Sequence, residues 1–522
     1  MMKKIIASAA IALTAFTSVN AAEKVVVTLQ PDSAAPLINK EIYGQFAEHL
    51  GTCIYGGLWV GTESSVPNTD GYRNDMLAAL RELHVPVLRW PGGCFADEYH
   101  WTDGIGPRKD RPRMVNNNWG GTVEDNSFGT HEFFNLCEML GIEPYLSGNV
   151  GSGTVEELAK WVEYITAEDG PQAKIRKQNG REKPWRLKYL GVGNESWGCG
   201  GSFTPEHYAN EYRRYQTYCR NFNGNKLYKI ASGASDYDYN WTDVLMRNAK
   251  NQMDGISLHY YTVAGWSGSK GSATKFSDDD YYWTLGKCLE IGDVVRRHMD
   301  IMDKYDPKKR VGLLVDEWGT WWDEEPGTVA GHLYQQNTMR DAMVAALSLN
   351  TFHGLTDRVK MTNIAQIANV LQSMILTNDS ALVLTPTYFV YKMYVPHQDA
   401  RYIPLNVDTR MRQVRDNREV PQVSVTASEK DGKVTISLTN TDLKEAAEVE
   451  VPLADIAPAL GFKNLKKLPV AGEILTSADI HDYNDFDHPT TVELKPFKDA
   501  RIDKSTLKIK LPAKSIVTLT LG

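Results

Sequence analysis

Two glutamates stand directly after short apolar runs in this 522-residue chain. Glu195 follows the run in RLKYLGVGNESW (186–197), and Glu317 ends the run in VGLLVDEWG (311–319). Four to eight apolar residues bounded by glycine are typical of a buried parallel strand. In a barrel of alternating strands and helices, the residue after a strand's C-terminal end lies at the catalytic mouth. Two carboxylates there suit glycoside hydrolysis, in which one donates a proton and the other attacks or activates water.

Each glutamate also has a structural interpretation, as a helix cap or an ion-pair partner. Their repeated placement, on the fourth and seventh predicted strands and each beside a tryptophan (Trp197 and Trp318), favours a shared catalytic role. Asn194 directly precedes Glu195 and can donate a hydrogen bond to a sugar hydroxyl next to the reacting carbon.

Eight strand patterns alternate with helical patterns between residues 38 and 385. This alternation predicts an α/β fold, a (β/α)₈ TIM barrel. Two polar loops, 97–126 and 264–285, interrupt it, and loops of that length in a compact domain are usually functional. The predicted strands are 41–51, 85–93, 143–150, 186–195, 229–233, 255–261, 311–317 and 360–365.

Beyond residue 385 the pattern changes to alternating apolar and polar residues, with an Asp431-Gly432 turn between two segments. This pattern predicts a C-terminal all-β sandwich over 386–522. A β-rich segment at 24–29 has no place in the barrel, so we expect residues 22–37 to add a strand to the sandwich. The predicted sandwich strands are 423–427, 433–440, 447–452, 491–494 and 507–521.

The N-terminus has the pattern of a cleaved signal peptide over residues 1–21. Lys3 and Lys4 precede an apolar run at 5–16, and Val19-Asn20-Ala21 offers a cleavage site. This predicts a secreted, periplasmic protein, with an uncleaved N-terminal helix as the alternative. The run is too short to span a membrane, and no other segment reaches about 18 uninterrupted apolar residues, so we expect no membrane insertion.

Composition excludes several other classes of partner. The net charge of -8 argues against nucleic acid, because phosphate binding needs a basic face. The six cysteines show neither a CxxC pair nor zinc-ligand spacing, so mostly free thiols are expected. His49, His100, His259 and Asp316 lack the spacing of a metal motif, and no phosphate-binding glycine loop is present. We therefore predict no metal and no cofactor.

The paired motifs GNES and DEW resemble the large glycosidase clan that uses Asn-Glu as acid/base and a later Glu as nucleophile. More narrowly, eight separated motifs resemble the α-L-arabinofuranosidases of glycoside hydrolase family 51. The resemblance covers nearly all of the chain after the N-terminal segment, and it implies a (β/α)₈ barrel with a β-sandwich built from both chain ends. The motifs are IYGQFAEHLG, VLRWPGGCFADEYHW, DGIGPR, NSFGTHEF, LGVGNESWGCGG, SLHYYT, VDEWG and NIAQ.

The resemblance implies that Glu195 is the general acid/base and Glu317 the nucleophile. Arg89 would lie beside Glu317, where a cation favours the charged carboxylate. Cys94 occupies a position where some members have asparagine, and a thiol is a weaker donor than an amide. The complete set of substrate-binding residues that we predict is Glu48, Arg89, Cys94, Trp119, Asn194, His259, Tyr261 and Gln366.

The sequence therefore predicts a retaining, exo-acting α-L-arabinofuranosidase that needs no cofactor. Its substrates would be terminal non-reducing α-L-arabinofuranosyl residues of arabinan, arabinoxylan or arabino-oligosaccharides, and hence plant cell-wall glycans. Members of the family often form homo-oligomers. Two alternatives stay open, namely a related barrel glycosidase such as an endoglucanase or xylosidase, and a non-catalytic glycan-binding protein. Loss of either carboxylate would have indicated the second alternative.

Overall fold

The computed structural model describes residues 24–522, so the predicted signal peptide lies outside the described residues. Eight parallel strands pair in sequence order and close into a barrel, which confirms the predicted fold class. Each predicted barrel strand has a counterpart. From first to eighth, the barrel strands are Gly44–Phe46, Val87–Trp90, Glu143–Gly148, Tyr189–Val192, Tyr228–Ser235, Gly255–Thr262, Gly312–Thr320 and Val359–Ala365.

Helices follow the barrel strands along the chain and bury their apolar faces against them. Several begin at side-chain caps, such as Thr204 before the helix that follows the fourth strand, where the cap oxygen accepts from the His207 amide. The helices are Asn74–Glu82, Thr130–Leu140, Val155–Thr166, Pro171–Gln178, Pro205–Tyr218, Tyr239–Ala249, Asp278–Tyr305, Met339–His353 and Pro386–Tyr394.

The loop predicted over 264–285 is shorter in the structure, because the helix Asp278–Tyr305 begins inside it. Ser277 caps this helix by accepting from the Asp280 amide, and the Asp280 side chain accepts from the Ser277 amide in return. This reciprocal capping box gives the acidic run 278–280 a helical start. A cluster of Ser and Asp therefore starts a helix here, where the sequence interpretation placed a loop.

Two sheets, in which most neighbouring strands are antiparallel, form the sandwich beside the barrel. The N-terminal strand Val25–Leu29 lies within the first sheet, parallel to Ala447–Pro452 and antiparallel to Leu405–Asp408. Apolar side chains of both sheets form a separate core between them. In spatial order the first sheet contains Leu405–Asp408, Val25–Leu29, Ala447–Pro452, Thr506–Leu511 and Ala500–Asp503. The second contains Arg401–Tyr402, Val423–Lys430, Lys433–Asn440, Ser515–Leu521, Val470–Thr476 and Leu494–Pro496.

The predicted domain bounds at 37/38 and 385/386 stay predictions. The helix Pro386–Tyr394 packs on Met339–His353 before the first sandwich strand that follows it. Within residues 24–522, none of the helices combines the length and the apolar character that crossing a membrane requires.

Candidate active site

The ends of the fourth and seventh barrel strands bring Glu195 and Glu317 together. One carboxylate oxygen of each glutamate and one ring nitrogen of His259 lie within 4.8 Å of one another. Glu195 occupies the turn after its strand with a positive φ of 38°, a conformation that non-glycine residues rarely adopt. Such backbone strain clusters at functional sites, where the surrounding structure holds it in place.

Arg89, at the end of the second barrel strand, binds the Glu317 carboxylate. Its Nη1 donates to Glu317 Oε1 at 2.8 Å, and its Nη2 donates to Asn194 Oδ1 at 2.5 Å. Tyr261 donates its hydroxyl to the other oxygen, Oε2, at 3.0 Å. Burial lowers the pKa of Arg89, but the charges of Asp316 and Glu317 outweigh it and hold that pKa above its usual range. Glu317 is therefore held by donors on both oxygens.

His259, on the sixth barrel strand, connects the two glutamates to a third carboxylate. Its Nδ1 lies 2.8 Å from Glu195 Oε1 and 3.5 Å from Glu317 Oε2, while its Nε2 lies 3.2 Å from Asp316 Oδ1. Burial lowers the pKa of His259, but these three carboxylates raise it to about 10. The imidazole is therefore a cation among carboxylates.

Glu195 has fewer donors than Glu317. Burial and the charge of Glu317 raise the pKa of Glu195, against the hydrogen bond from His259. Its second oxygen, Oε2, faces the sulfurs of Cys199 at 3.5 Å and Cys94 at 3.8 Å. These two cysteines form a disulfide, so neither sulfur carries a hydrogen to donate. Cys94 is thus not the thiol donor that the sequence suggested, although it lines the pocket.

A third glutamate, Glu48, lies beyond the first barrel strand. Its Oε1 accepts from the Phe95 amide at 3.1 Å and from Trp119 Nε1 at 2.9 Å, and its Oε2 accepts from Gln366 Nε2 at 3.1 Å. Burial raises the pKa of Glu48 to about 7. A Cβ on Gly93 would lie only 2.8 Å from this carboxylate, so glycine leaves it room.

The pocket in front of these groups has a volume of about 280 Å³. Arg89, Asn194 and His259 are buried next to the carboxyl groups of Glu195 and Glu317 and do not line it. Seven predicted residues do line it, namely Glu48, Cys94, Trp119, Glu195, Tyr261, Glu317 and Gln366.

Several residues of the site were missed by sequence reasoning. Trp266 and Trp321 line the pocket mouth with their rings nearly perpendicular, 5.4 Å apart at their centroids. Trp266 lies in the second long polar loop, and that loop was the available signal. Asp97 accepts from the amides of Val150 and Asn194 and so ties two strand-end loops together. Burial raises the pKa of Asp97 to about 7.

Two groups of side chains bring metal-binding atoms together within the described residues. The first is Cys94, Glu195 and Cys199, and its sulfurs are joined to each other in the disulfide. The second is the trio Glu195, His259 and Glu317, in which a protonated histidine is a donor and not a ligand. The disulfide thus accounts for the first group, and the hydrogen bonds of His259 account for the second.

A (β/α)₈ barrel with two carboxyl groups close together at a pocket is the arrangement of glycoside hydrolases that use a pair of carboxyl groups. Residues 79–279 match the family described as the α-L-arabinofuranosidase 1 domain, and residues 316–515 match the α-L-arabinofuranosidase C-terminal domain. The chain belongs to the α-L-arabinofuranosidases of glycoside hydrolase family 51, as the sequence motifs predicted.

The similarity to known arabinofuranosidases extends over nearly the whole chain. An intracellular exo-α-L-arabinofuranosidase of Bacteroides ovatus is 65% identical, and the match covers 100% of both chains. The crystal structure of the GH51 arabinofuranosidase from Xanthomonas axonopodis pv. citri superposes with a TM-score of 0.92 at 48% identity, covering 96% of this chain and 100% of that one. The Thermotoga maritima α-L-arabinofuranosidase in its arabinose complex gives a TM-score of 0.80 at 27% identity, covering 95% and 99%.

The predicted periplasmic location is wrong. The Bacteroides ovatus relative matches this chain from end to end and is named intracellular. Two lysines and a short apolar run satisfy the composition of a signal peptide, but composition alone does not determine whether a chain is exported.

Proposed function

We propose that this chain is a retaining exo-α-L-arabinofuranosidase with Glu195 as general acid/base and Glu317 as nucleophile. The observation that supports this most strongly is the spacing of the carboxyls, since oxygens of Glu195 and Glu317 lie within 4.8 Å of each other. Retaining glycosidases hold their carboxyl groups about 5–5.5 Å apart, whereas inverting enzymes need about 6.5–9.5 Å to admit a water.

The first step uses the different surroundings of the two glutamates. Arg89 and Tyr261 orient the Glu317 carboxylate for attack on the anomeric carbon. Glu195, whose pKa is raised by burial and by Glu317, keeps a proton to give to the departing glycosidic oxygen. The C–O bond to the leaving group breaks as the Glu317 ester forms.

The second step reverses the role of Glu195. With the leaving group gone, its carboxylate takes a proton from water, and that water attacks the anomeric carbon and releases Glu317. His259 keeps its hydrogen bond to Oε1 in both steps and holds the carboxyl in place. Two inversions give net retention of the α configuration.

The pocket favours one terminal sugar over a long chain. Its volume of about 280 Å³ and its buried polar end, where Glu48 and Gln366 meet, suit a single furanose ring. Glu48 and Gln366 would bind the sugar hydroxyls, while the rings of Trp119 and the exposed Trp266 would contact the leaving group. These contacts support exo action.

The substrates that we propose are arabinose-containing glycans of the plant cell wall, such as arabinan and arabinoxylan. The endoglucanase alternative has only structural likeness behind it, since a bifunctional glucanase-xylanase (CelM2) shares the fold at 12% identity. The homo-oligomer implied by the family stays a prediction, which sedimentation of the purified protein would test.

The experiment compares hydrolysis of 4-nitrophenyl α-L-arabinofuranoside, the corresponding xyloside and cellulose, and follows the first-formed sugar by proton NMR. We expect activity on the arabinofuranoside and initial release of α-L-arabinofuranose. Initial release of the β anomer would rule out the retaining mechanism, and preferential cleavage of cellulose would rule out the proposed substrate.

A further inference from the structure

The disulfide between Cys94 and Cys199 joins two loops at the mouth of the active site. Cys94 begins the short helical turn Cys94–Asp97 after the second barrel strand, and Cys199 lies in the loop after the fourth. Cys199 is exposed to solvent, and Cys94 lines the pocket. The free cysteines of the described residues are all buried, namely Cys53, Cys137, Cys219 and Cys288. The disulfide is therefore the sulfur site that an external thiol can reach.

Both sulfurs face the carboxyl oxygen that the protein leaves without a donor. Glu195 Oε1 has the hydrogen bond from His259, but Oε2 meets only the sulfurs of Cys199 at 3.5 Å and Cys94 at 3.8 Å. In the disulfide these sulfurs have no hydrogen. After reduction each would carry an S–H group, which is a weak donor, within reach of Oε2.

We propose that Cys94 and Cys199 form a thiol–disulfide exchange site for dithiol reductants, and that its oxidation state sets the acid strength of Glu195. The proposal rests on the proposed role of Glu195 as the general acid. A hydrogen bond to the charged form of a carboxyl favours that form. Reduction therefore makes Glu195 lose its proton at lower pH, so the form of the enzyme with protonated Glu195 disappears at lower pH.

The exchange balances in two displacements. A thiolate of the reductant attacks the exposed Cys199 sulfur, the S–S bond breaks, and Cys94 leaves as a thiolate that takes a proton. The second thiolate of the reductant then attacks its own sulfur in the mixed disulfide and releases Cys199, which is protonated in turn. Two electrons and two protons pass to the enzyme, and the dithiol becomes a cyclic disulfide.

The turn that carries Glu195 is held by backbone hydrogen bonds as well as by the disulfide. The amides of Gly198 and Gly200 both donate to the Glu195 carbonyl, at 2.7 and 3.1 Å. The Phe203 amide donates to the Ser196 carbonyl at 2.8 Å. Because these hydrogen bonds remain after reduction, we expect the reduced enzyme to keep the site and change its pH dependence.

The experiment measures kcat/KM against pH for the oxidised and the dithiothreitol-reduced full-length enzyme, with arabinobiose as substrate because its leaving group needs protonation. Alkylation followed by mass spectrometry reports the pairing in each sample. Reduction should free both cysteines and move the basic limb to lower pH by on the order of half to one unit. Reoxidation with oxidised glutathione should restore the original limb.

Two variants complete the test. Cys199→Ser cannot form the disulfide, so dithiothreitol should leave its pH profile unchanged. Cys219→Ser removes a buried free thiol that does not line the pocket and should respond as the unaltered enzyme does. Unpaired cysteines in the air-oxidised enzyme, or a pair that reduces and reforms with an unchanged pH profile, would overturn the proposal. Neither outcome affects the assignment of Glu195, which azide rescue of Glu195→Ala tests separately.

Discussion

Glu195 and Glu317 have the same side chain, and their surroundings give them different chemistry. Glu317 accepts from Arg89 and Tyr261 on its two oxygens, which fixes the orientation of its carboxyl group. Glu195 has one donor, His259, and its pKa is raised by burial and by the neighbouring charge of Glu317. This difference in surroundings supports the proposed division of the acid and nucleophile roles between the two glutamates.

Arg89 is expected to act through the orientation of Glu317. In Arg89→Lys the charge remains, but the planar fork that reaches both Glu317 and Asn194 is lost. Hydrogen bonds to charged groups contribute about 1.5–3 kcal/mol, so kcat/KM should fall about 10- to 100-fold. Steady-state kinetics on the folded variant checks this. An unchanged rate would remove Arg89 from any role in orienting the nucleophile.

His259 should set the upper pH limit of activity. Burial and the charge of Glu317 raise the pKa of Glu195, whereas His259 and the charge of Arg89 lower it. In His259→Gln the cation is lost, so the pKa of Glu195 rises further. The acid then stays protonated to higher pH, and the basic limb of kcat/KM on arabinobiose should move upward. A limb that stays in place or moves downward would contradict this role.

The sequence could indicate Glu195 and Glu317 because each closes an apolar run that predicts a buried strand, and the C-terminal ends of parallel barrel strands meet at one mouth. The sequence could not distinguish the residues that line the pocket from the residues that are buried next to them. Asn194 is adjacent to Glu195 in sequence, yet its side chain is buried against Arg89. The pairing of Cys94 with Cys199 depends on proximity across 105 residues, which no local pattern encodes.

At the scale of elements, the strand-end loops must be fixed relative to one another for the carboxyls to meet. Asp97 does this for the third and fourth strands, since its Oδ1 accepts from Val150 and Gly151 and its Oδ2 accepts from Asn194. Elements with a regular period, such as the barrel strands, were predictable. The helix starting at Asp278 was placed too late because its capping residues also suit a loop.

Asp97→Asn should loosen this connection. An amide offers one acceptor oxygen in place of two, so one of the backbone amides loses its partner. An unpaired buried amide costs about 1–3 kcal/mol, and both the melting temperature and kcat should fall. Asp103→Asn, on the same segment but outside these contacts, is the matched control. Equal melting temperatures and rates in the two variants would show that Asp97 does not fix these loops.

At the scale of the whole molecule, the two ends of the chain meet in the sandwich. The strand Val25–Leu29 pairs with strands more than 370 residues away. Its first, third and fifth side chains are buried, whereas Val26 is half-buried and Thr28 is exposed. The β-rich composition of this segment was readable from the sequence. Its neighbours were not, because sheet order follows from the packing of the complete chain.

Val27→Asp should therefore destabilise the protein, because it places a charge in the sandwich core, where Val27 is fully buried. Thr28→Asp places the same charge on the exposed face of the same strand and should have little effect. Thermal unfolding of both variants gives the comparison. Similar melting temperatures would mean that this strand contributes no buried surface to the folded protein.

The central claim is that Glu195 is the acid/base and Glu317 the nucleophile of a retaining enzyme. The most direct measurement uses Glu195→Ala with 4-nitrophenyl α-L-arabinofuranoside, whose leaving group needs little protonation. A burst of nitrophenol should precede a slow steady state, because no base activates water for the second step.

Added azide needs no base, so it should restore turnover and give arabinosyl azide of retained α configuration, identified by NMR. Glu317→Ala lacks the nucleophile and should show no burst. The account would be contradicted if Glu195→Ala lost arabinan and aryl substrates equally, with neither a burst nor rescue by azide.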